Sequence, residues 1–287
     1  MTSVQLEAGS AFRRCSRLRW LFDRSMLPVV IGIGVLVAFT VAGAVIPLPF
    51  DPIAPDVNSP LVGPSADHWF GTDLSGFDVF SRVIRAASRD IPLALVGTLA
   101  SLAAGVPLGL LASGKGKLGE RIMRVTDVFQ AFPLLVLSVV LVSLAGRTNQ
   151  WNVVWAIMIT NVPRFMRLVR AEGHALREAR FIEAANAIGA TRKRIAFRHI
   201  LPNVAGVILV QVSLSAAYAL VVIAALAFIG IGAPPPDPSW GAMIKSGFSE
   251  LANGKWWVSI FPGLAIFFCV AWLNIIADSL ESKIEKV

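Results

Sequence analysis

Read as hydrophobic and polar positions, the chain alternates between long apolar runs and short charged stretches. Residues 27–46, 91–112, 128–144 and 204–231 carry almost no charge, and a further run starts at Trp256 and Trp257 and ends near Ile276. A run that begins at Trp151 stays uncharged as far as Pro163 and then meets Arg164 and Arg167. Its helix is expected to continue past them, because arginine near a helix end can extend to the head groups. A bilayer core about 30 Å thick takes roughly 20 helical residues to cross. The pattern therefore predicts an all-α, polytopic membrane protein with six transmembrane helices.

The stretches between the runs are as informative. Residues 47–90 begin rich in Pro, Asp and Ser and then turn amphipathic. Ser75 and Asp78 are spaced as a capping box with Asp in place of Glu. Phe77, Phe80, Val83, Ile84 and Ala87 follow at helical spacing, with Asp78, Arg82, Arg85 and Arg89 opposite. Such a helix can lie on the outer membrane surface or pack against the rest of the protein. Within the second run, Gly105 and Gly109 are spaced for close helix packing, and Pro107 between them is expected to bend the helix. Residues 232–240, with three consecutive prolines, end the fifth run and open a second external segment.

Only 15% of the 287 residues are charged, against about a quarter in soluble domains. A single Tyr, and no regular alternation over segments of roughly ten residues, argues against an outer-membrane barrel. The net charge of +8 reflects placement, not nucleic-acid binding. Of 26 Lys and Arg, twenty fall in the N-terminal tail, the loop after the second run, residues 164–203 and the C-terminal end. The other six are Arg82, Arg85, Arg89, Arg147, Lys245 and Lys255. Lys and Arg concentrate on the cytoplasmic side of a membrane, so both termini are expected in the cytoplasm. The first run is too long for the 7–15-residue core of a cleaved signal peptide. Cys15 and Cys269 form no motif and imply neither disulfide nor metal. The expected layout is a basic cytoplasmic tail at 1–26 and a first helix with its external segment at 27–90. A core of five helices at 91–280, with a cytoplasmic loop at 168–203, precedes a short tail at 281–287.

That loop is the longest polar, helix-prone segment of the chain. Good helix formers run from Arg177 to Ile188, and Gly189 provides the left-handed exit that a helix C-terminus favours. A second short helix is expected from Thr191 to Ile200, and Pro202 leads into the fifth run. Ala184 and Ala185 are small enough for a partner's surface to come close, and Glu183 sets one negative charge among many positive ones. The segment suits docking of another protein, or contact with lipid head groups.

Glu183-Ala184-Ala185, Gly189 and Ile200-Leu201-Pro202 together resemble the signature loop of ABC importer permeases. Three further stretches resemble the dipeptide, oligopeptide and nickel branch: His68-Trp69-Phe70-Gly71-Thr72-Asp73; residues 230–241; and Trp256-Trp257 with Pro262, Gly263 and Asn274. Arg198-His199-Ile200-Leu201-Pro202-Asn203 is also read as in that branch. The likeness runs from about residue 27 to near the end. Phe77 stands where the branch has Arg, and residues 277–283 lack its usual ending. The resemblance implies the type I importer fold and a loop that docks on a separate ATPase. It also implies a second homologous permease forming a heterodimer, one or two ATPase subunits and an external solute-binding protein facing residues 47–90 and 233–256. Peptides or similar small solutes are the implied cargo, with no resident cofactor and no metal.

A self-contained, ion-coupled secondary transporter is the rival reading. It would need ionisable groups inside the spans, and the runs offer only Arg164 and Arg167 near a span end. His68, His174 and His199 all fall between runs, which leaves no basis for an intramembrane Ser-His or metal enzyme. No Gly-rich phosphate loop ending in Gly-Lys-Ser/Thr is present, so ATP hydrolysis would belong to another chain. Gln211, Ser213, Ser215 and Tyr218 in the fifth run either line a solute path or pack as buried polar groups between helices.

Overall fold

A computed structural model of the chain describes residues 26–114, 116–144, 150–232 and 236–284. The basic tail at 1–25, Lys115, Arg147 with its turn, the prolines at 234–235 and the last three residues lie outside the described residues. Among the described residues, ten α-helices follow in order: α1 (Leu27–Val45), α2 (Val79–Ala112), α3 (Lys117–Ala131), α4 (Leu134–Leu144), α5 (Gln150–Arg177), α6 (Arg180–Ala187), α7 (Arg192–Ile195), α8 (Leu201–Phe228), α9 (Trp240–Phe248) and α10 (Trp257–Ile284). A π turn at Ala196–Ile200 joins α7 to α8 without a break.

Among the described residues, four stretches are long and apolar enough to cross a membrane: α1, α2, α10 and the continuous rod Arg192–Phe228. The six-helix count is not reached among the described residues. Helix α4 has 11 residues, about 16 Å at 1.5 Å each, because Pro133 separates it from α3. Helix α5 has 28 residues, but Arg164, Arg167 and Arg170 lower its apolar content. The loop expected after the second run is instead the amphipathic helix α3, and Arg167 on α5 is paired with its Asp127 at 2.5 Å.

The amphipathic stretch after residue 78 is not a separate surface helix. It forms the first turns of α2, which runs unbroken through residue 90 and through Pro92 and Pro107. Val79, Val83, Ala86 and Ala87 are buried in the main core. The cap is Asp78, not Ser75: Asp78 Oδ2 accepts the Ser81 N–H at 2.8 Å, leaving no role for a box begun one turn earlier. The other Asp78 oxygen meets His68 Nδ1 at 2.9 Å, and the His68 ring stacks on Phe50.

Residues 68–73 are thus a structural knot ahead of α2. Thr72 Oγ1 donates to the Ser59 carbonyl and accepts the Val62 N–H, and the Thr72 carbonyl accepts from Trp257 Nε1 at 3.1 Å. Asp73 Oδ1 accepts the Ser75 and Phe77 N–H groups. Burial pushes its carboxyl above the ordinary range, against the pull of those bonds and the Arg82 charge. Helix α9 is pinned to α2 nearby. Asp90 accepts the Trp240 N–H at 3.0 Å, Trp240 Nε1 donates to the Val83 carbonyl, and Arg89 pairs with Asp237.

Helices α2 and α5 form the most extensive pairing in the fold. A Cβ on Gly105 would stand 2.7 Å from Phe165 Cβ, one on Gly109 2.8 Å from Val169 Cβ, and one on Gly97 2.7 Å from Ile157. The Gly105–Gly109 spacing is therefore a packing device, as its sequence implies. Ser101, between these glycines, returns its hydroxyl to the Gly97 carbonyl at 2.7 Å and lies 3.4 Å from the Ile157 and Met158 carbonyls.

Gly105→Ala is expected to lower the melting temperature of the purified protein in detergent, since the close backbone must part. Gly263→Ala, where a Cβ meets nothing within 4 Å, is expected to leave it unchanged. Asp73→Asn keeps an oxygen for both N–H groups and removes a buried charge, so it is expected to cost little at neutral pH. Asp73→Ala orphans both donors and is expected to destabilise by about 1–3 kcal/mol, read in the same melting assay.

Candidate functional site: the loop between α5 and α8

The loop is built from two short helices that show one face to the bundle and another to the surroundings. In α6, Ile182 and Ala185 lie three residues apart on the inner face and are buried. Glu183, in the first turn, complements the positive helix end and is exposed together with Ala184. The helix closes on a complete Schellman motif. The Ala190 N–H reaches the Ala185 carbonyl at 3.0 Å and the Gly189 N–H reaches the Asn186 carbonyl at 2.9 Å. Gly189 has φ +77°, the left-handed value read from its place in the sequence.

The second helix starts at Thr191, whose hydroxyl accepts the Arg194 N–H at 3.3 Å. It then widens into the π turn, closed by the Leu201 N–H on the Ala196 carbonyl. Positions five apart on an α-helix stand about 140° from one another. The wider π turn lets Ile195 and Ile200 enter the same core, where both are essentially fully buried. Leu201 is half-buried beside them, while Pro202 is exposed at the start of α8. The Asn203 amide closes onto the His199 carbonyl.

That core is separate from the main one. It joins Ile182, Ile195 and Ile200 of the loop to Val106 and Leu110 of α2, Val169 of α5, and Val204 and Ile208 of α8. Arg177 ties the loop entrance to the end of α2 through Nε and Nη2 contacts of 3.4 Å to Ser113 Oγ. The outward face remains unusually apolar for a basic loop: Phe181, Ile188 and Phe197 are 46%, 85% and 59% exposed. Arg180, Arg192, Lys193, Arg194 and Arg198 surround them, all exposed. Among the seven residues singled out in sequence, Ala185 and Ile200 turn inward, whereas Glu183, Ala184, Gly189 and Pro202 face out. The exposed Phe181, Ile188 and Phe197 were missed; the signal was large apolar residues out of phase with Ile182 and Ile195.

The polar residues of the fifth run lie elsewhere, in α8. Gln211 Nε2 donates to Ser215 Oγ at 3.0 Å, and Ser213 Oγ lies 3.5 Å from the Leu209 carbonyl. Ser213 and Ser215 are buried, and Tyr218 is half-buried beneath the Arg164 guanidinium.

Residues 105–286 match the family model described as "Binding-protein-dependent transport system inner membrane component". The chain belongs to this family. It is 40% identical over 226 residues to the dipeptide transport system permease protein DppC of Alkalihalophilus pseudofirmus, covering 78% of this chain and 74% of that protein. It is 38% identical over 224 residues to the glutathione transport system permease protein GsiD of Pectobacterium atrosepticum, covering 78% and 74%. Over 239 residues it is 36% identical to the probable D,D-dipeptide transport system permease protein DdpC of Escherichia coli, covering 82% and 78%. A solved structure of the MetNI methionine ABC transporter, facing inward, superimposes with a TM-score of 0.58 at 17% identity, covering 72% of this chain and 96% of that one. The fold is accordingly that of a type I ABC importer permease. The chain is a multi-pass membrane component of an ABC importer, working with an ATPase and an external binding protein; ATP hydrolysis belongs to the separate ATPase.

Ile200→Ala is expected to destabilise the protein by about 2–5 kcal/mol, as for other fully buried large-to-small changes. Gly189→Ala is expected to cost about 1 kcal/mol from its left-handed backbone. A Cβ there meets nothing within 4 Å, so Gly189→Val strains the turn without striking a neighbour. Thermal unfolding in detergent reads all three.

Proposed function

We propose that this chain imports peptides or similar small solutes as one half of a heterodimeric permease in a bacterial inner membrane. Its partners are a second homologous permease, one or two ATPase subunits and the solute-binding protein. Both termini and the loop between α5 and α8 face the cytoplasm, and membrane lipid surrounds six spans. The cargo class follows the named relatives, which include dipeptide and glutathione permeases.

The observation that carries this reading is the two-sided loop. Its outer face offers three exposed apolar side chains beside Glu183 and Ala184, a surface for the ATPase. Its inner face shares a core with α2, α5 and α8. A push on the outer face therefore moves three long helices together, as coupling ATP binding to transport requires. Glu183, Ala184, Ala185 and Gly189 shape the docking helix and its exit, while Ile200, Leu201 and Pro202 fix it to α8. The outer knot at residues 47–78 and helix α9 serve as the face for the binding protein. Gln211, Ser213, Ser215 and Tyr218 mark the solute path between the permeases.

Purification of the tagged chain in mild detergent, from cells expressing its operon partners, is expected to recover the ATPase and the second permease. Ile188→Asp is expected to reduce ATPase recovery at least tenfold without lowering the melting temperature, because Ile188 is 85% exposed and contributes little to the core. Undiminished ATPase recovery with this variant and with Phe197→Asp would place the docking surface elsewhere.

A further inference from the structure

Arg164 occupies a place that its sequence position conceals. It follows an uncharged run, so it reads as an arginine extending from a helix end to the head groups. As expected from the sequence, helix α5 continues past it to Arg177. Arg164 then stands about 21 Å from the start of α5 and about 20 Å from its end, at 1.5 Å per residue. Its guanidinium carbon lies 3.7 Å from the centre of the Tyr218 ring. Tyr218 is itself about 26 Å along α8 from Leu201 and about 15 Å from Phe228. Both helices place the contact well away from their ends.

A cation within a membrane protein's helix bundle is tolerated where it faces a protein interior or a water-filled cavity. The Tyr218 ring holds one face of the guanidinium, but a ring face takes none of its five N–H donors. Among the described residues, Arg164 has no carboxylate partner and no hydrogen-bond acceptor. Asn161, one turn earlier on α5, is fully buried, and its Oδ1 has no partner, while Nδ2 donates to the Ile157 carbonyl at 3.2 Å. Gln211 and Ser215 continue the polar stripe on the Tyr218 side of α8, since positions three, four and seven apart share a helix face.

We propose that Arg164, held on Tyr218, is an anion-recognition point halfway along the solute path, taking the carboxylate of a peptide or another small organic acid. The cation–π contact fixes the fork in place while leaving its edge free for a bidentate bond to carboxylate. This rests on the reading of Gln211 and Tyr218 as path residues. The ligand passes through, so one fixed charge balanced by an aromatic face suits transient binding better than a closed ion pair.

The test uses membranes containing the complete transporter, with Cys15→Ser and Cys269→Ala in this chain and Gln211→Cys as reporter. Cysteine modification is timed with two water-soluble methanethiosulfonates, one bearing a sulfonate and one a trimethylammonium group. The ratio of the sulfonate rate to the trimethylammonium rate is expected to fall roughly tenfold when Arg164→Gln is added, and to persist with Arg164→Lys. An unchanged ratio with both reagents reactive overturns the anion site and leaves the path reading standing. No reaction with either reagent, when a cysteine at exposed Ile188 reacts normally, overturns the path reading and the proposal with it.

Discussion

The near-contact of α2 and α5 is the constraint on which the rest of the structure depends. Three glycines on α2 place backbone against side chains with no room for a methyl group. Dispersion forces grow with such closeness, and inside a membrane they carry much of the association that the hydrophobic effect supplies in water. Once these two helices are fixed, Val106, Leu110 and Val169 are brought together at one end. The loop between α5 and α8 then has a prepared surface on which to seat Ile182, Ile195 and Ile200. The second core is a consequence of the first pairing, not an independent element.

The division of the loop into an inner and an outer face follows from geometry at the level of single turns. The Schellman exit at Gly189 reverses the chain without exposing helix-end carbonyls, and the π turn resets the phase of the following helix. Without that reset, Ile195 and Ile200 would diverge around the helix and one would leave the core. Positive charge around the exposed apolar side chains gives the outer face a long-range field as well as a short-range contact. Such a pairing of features speeds encounter and then holds the partner.

Much of this was legible in the sequence, and the failures have physical reasons. Gly189 and the helix on each side of it could be read because a left-handed residue nearly demands glycine. The fifth and last apolar runs became α8 and α10 because length and charge-free composition leave few alternatives. The cap of α2 was misplaced by one turn, since Ser75 and Asp78 are both good capping types and only the Ser81 N–H on Asp78 decides between them. The stretch after residue 78 was left open between a surface helix and packing against the protein, because amphipathicity does not say whether the apolar face meets lipid or protein. Here it meets Trp240 and the main core. The role of residues 68–73 as a knot depends on bonds to Ser59, Val62 and Trp257, which no local pattern reveals. The pairing of Arg164 with Tyr218 could not be read, because it joins two helices far apart in sequence.

Helix α2 extends over 34 residues, about 50 Å, and is held at both extremities. Near its start Asp90 and Val83 grip the Trp240 main chain and ring, and near its finish Ser113 takes the Arg177 guanidinium while Leu110 enters the loop core. Sliding it along its own axis would break polar bonds at both sites at once. The helix thus has the form of a lever with a fitting at each tip, stiff between two anchorages that lie on different partners.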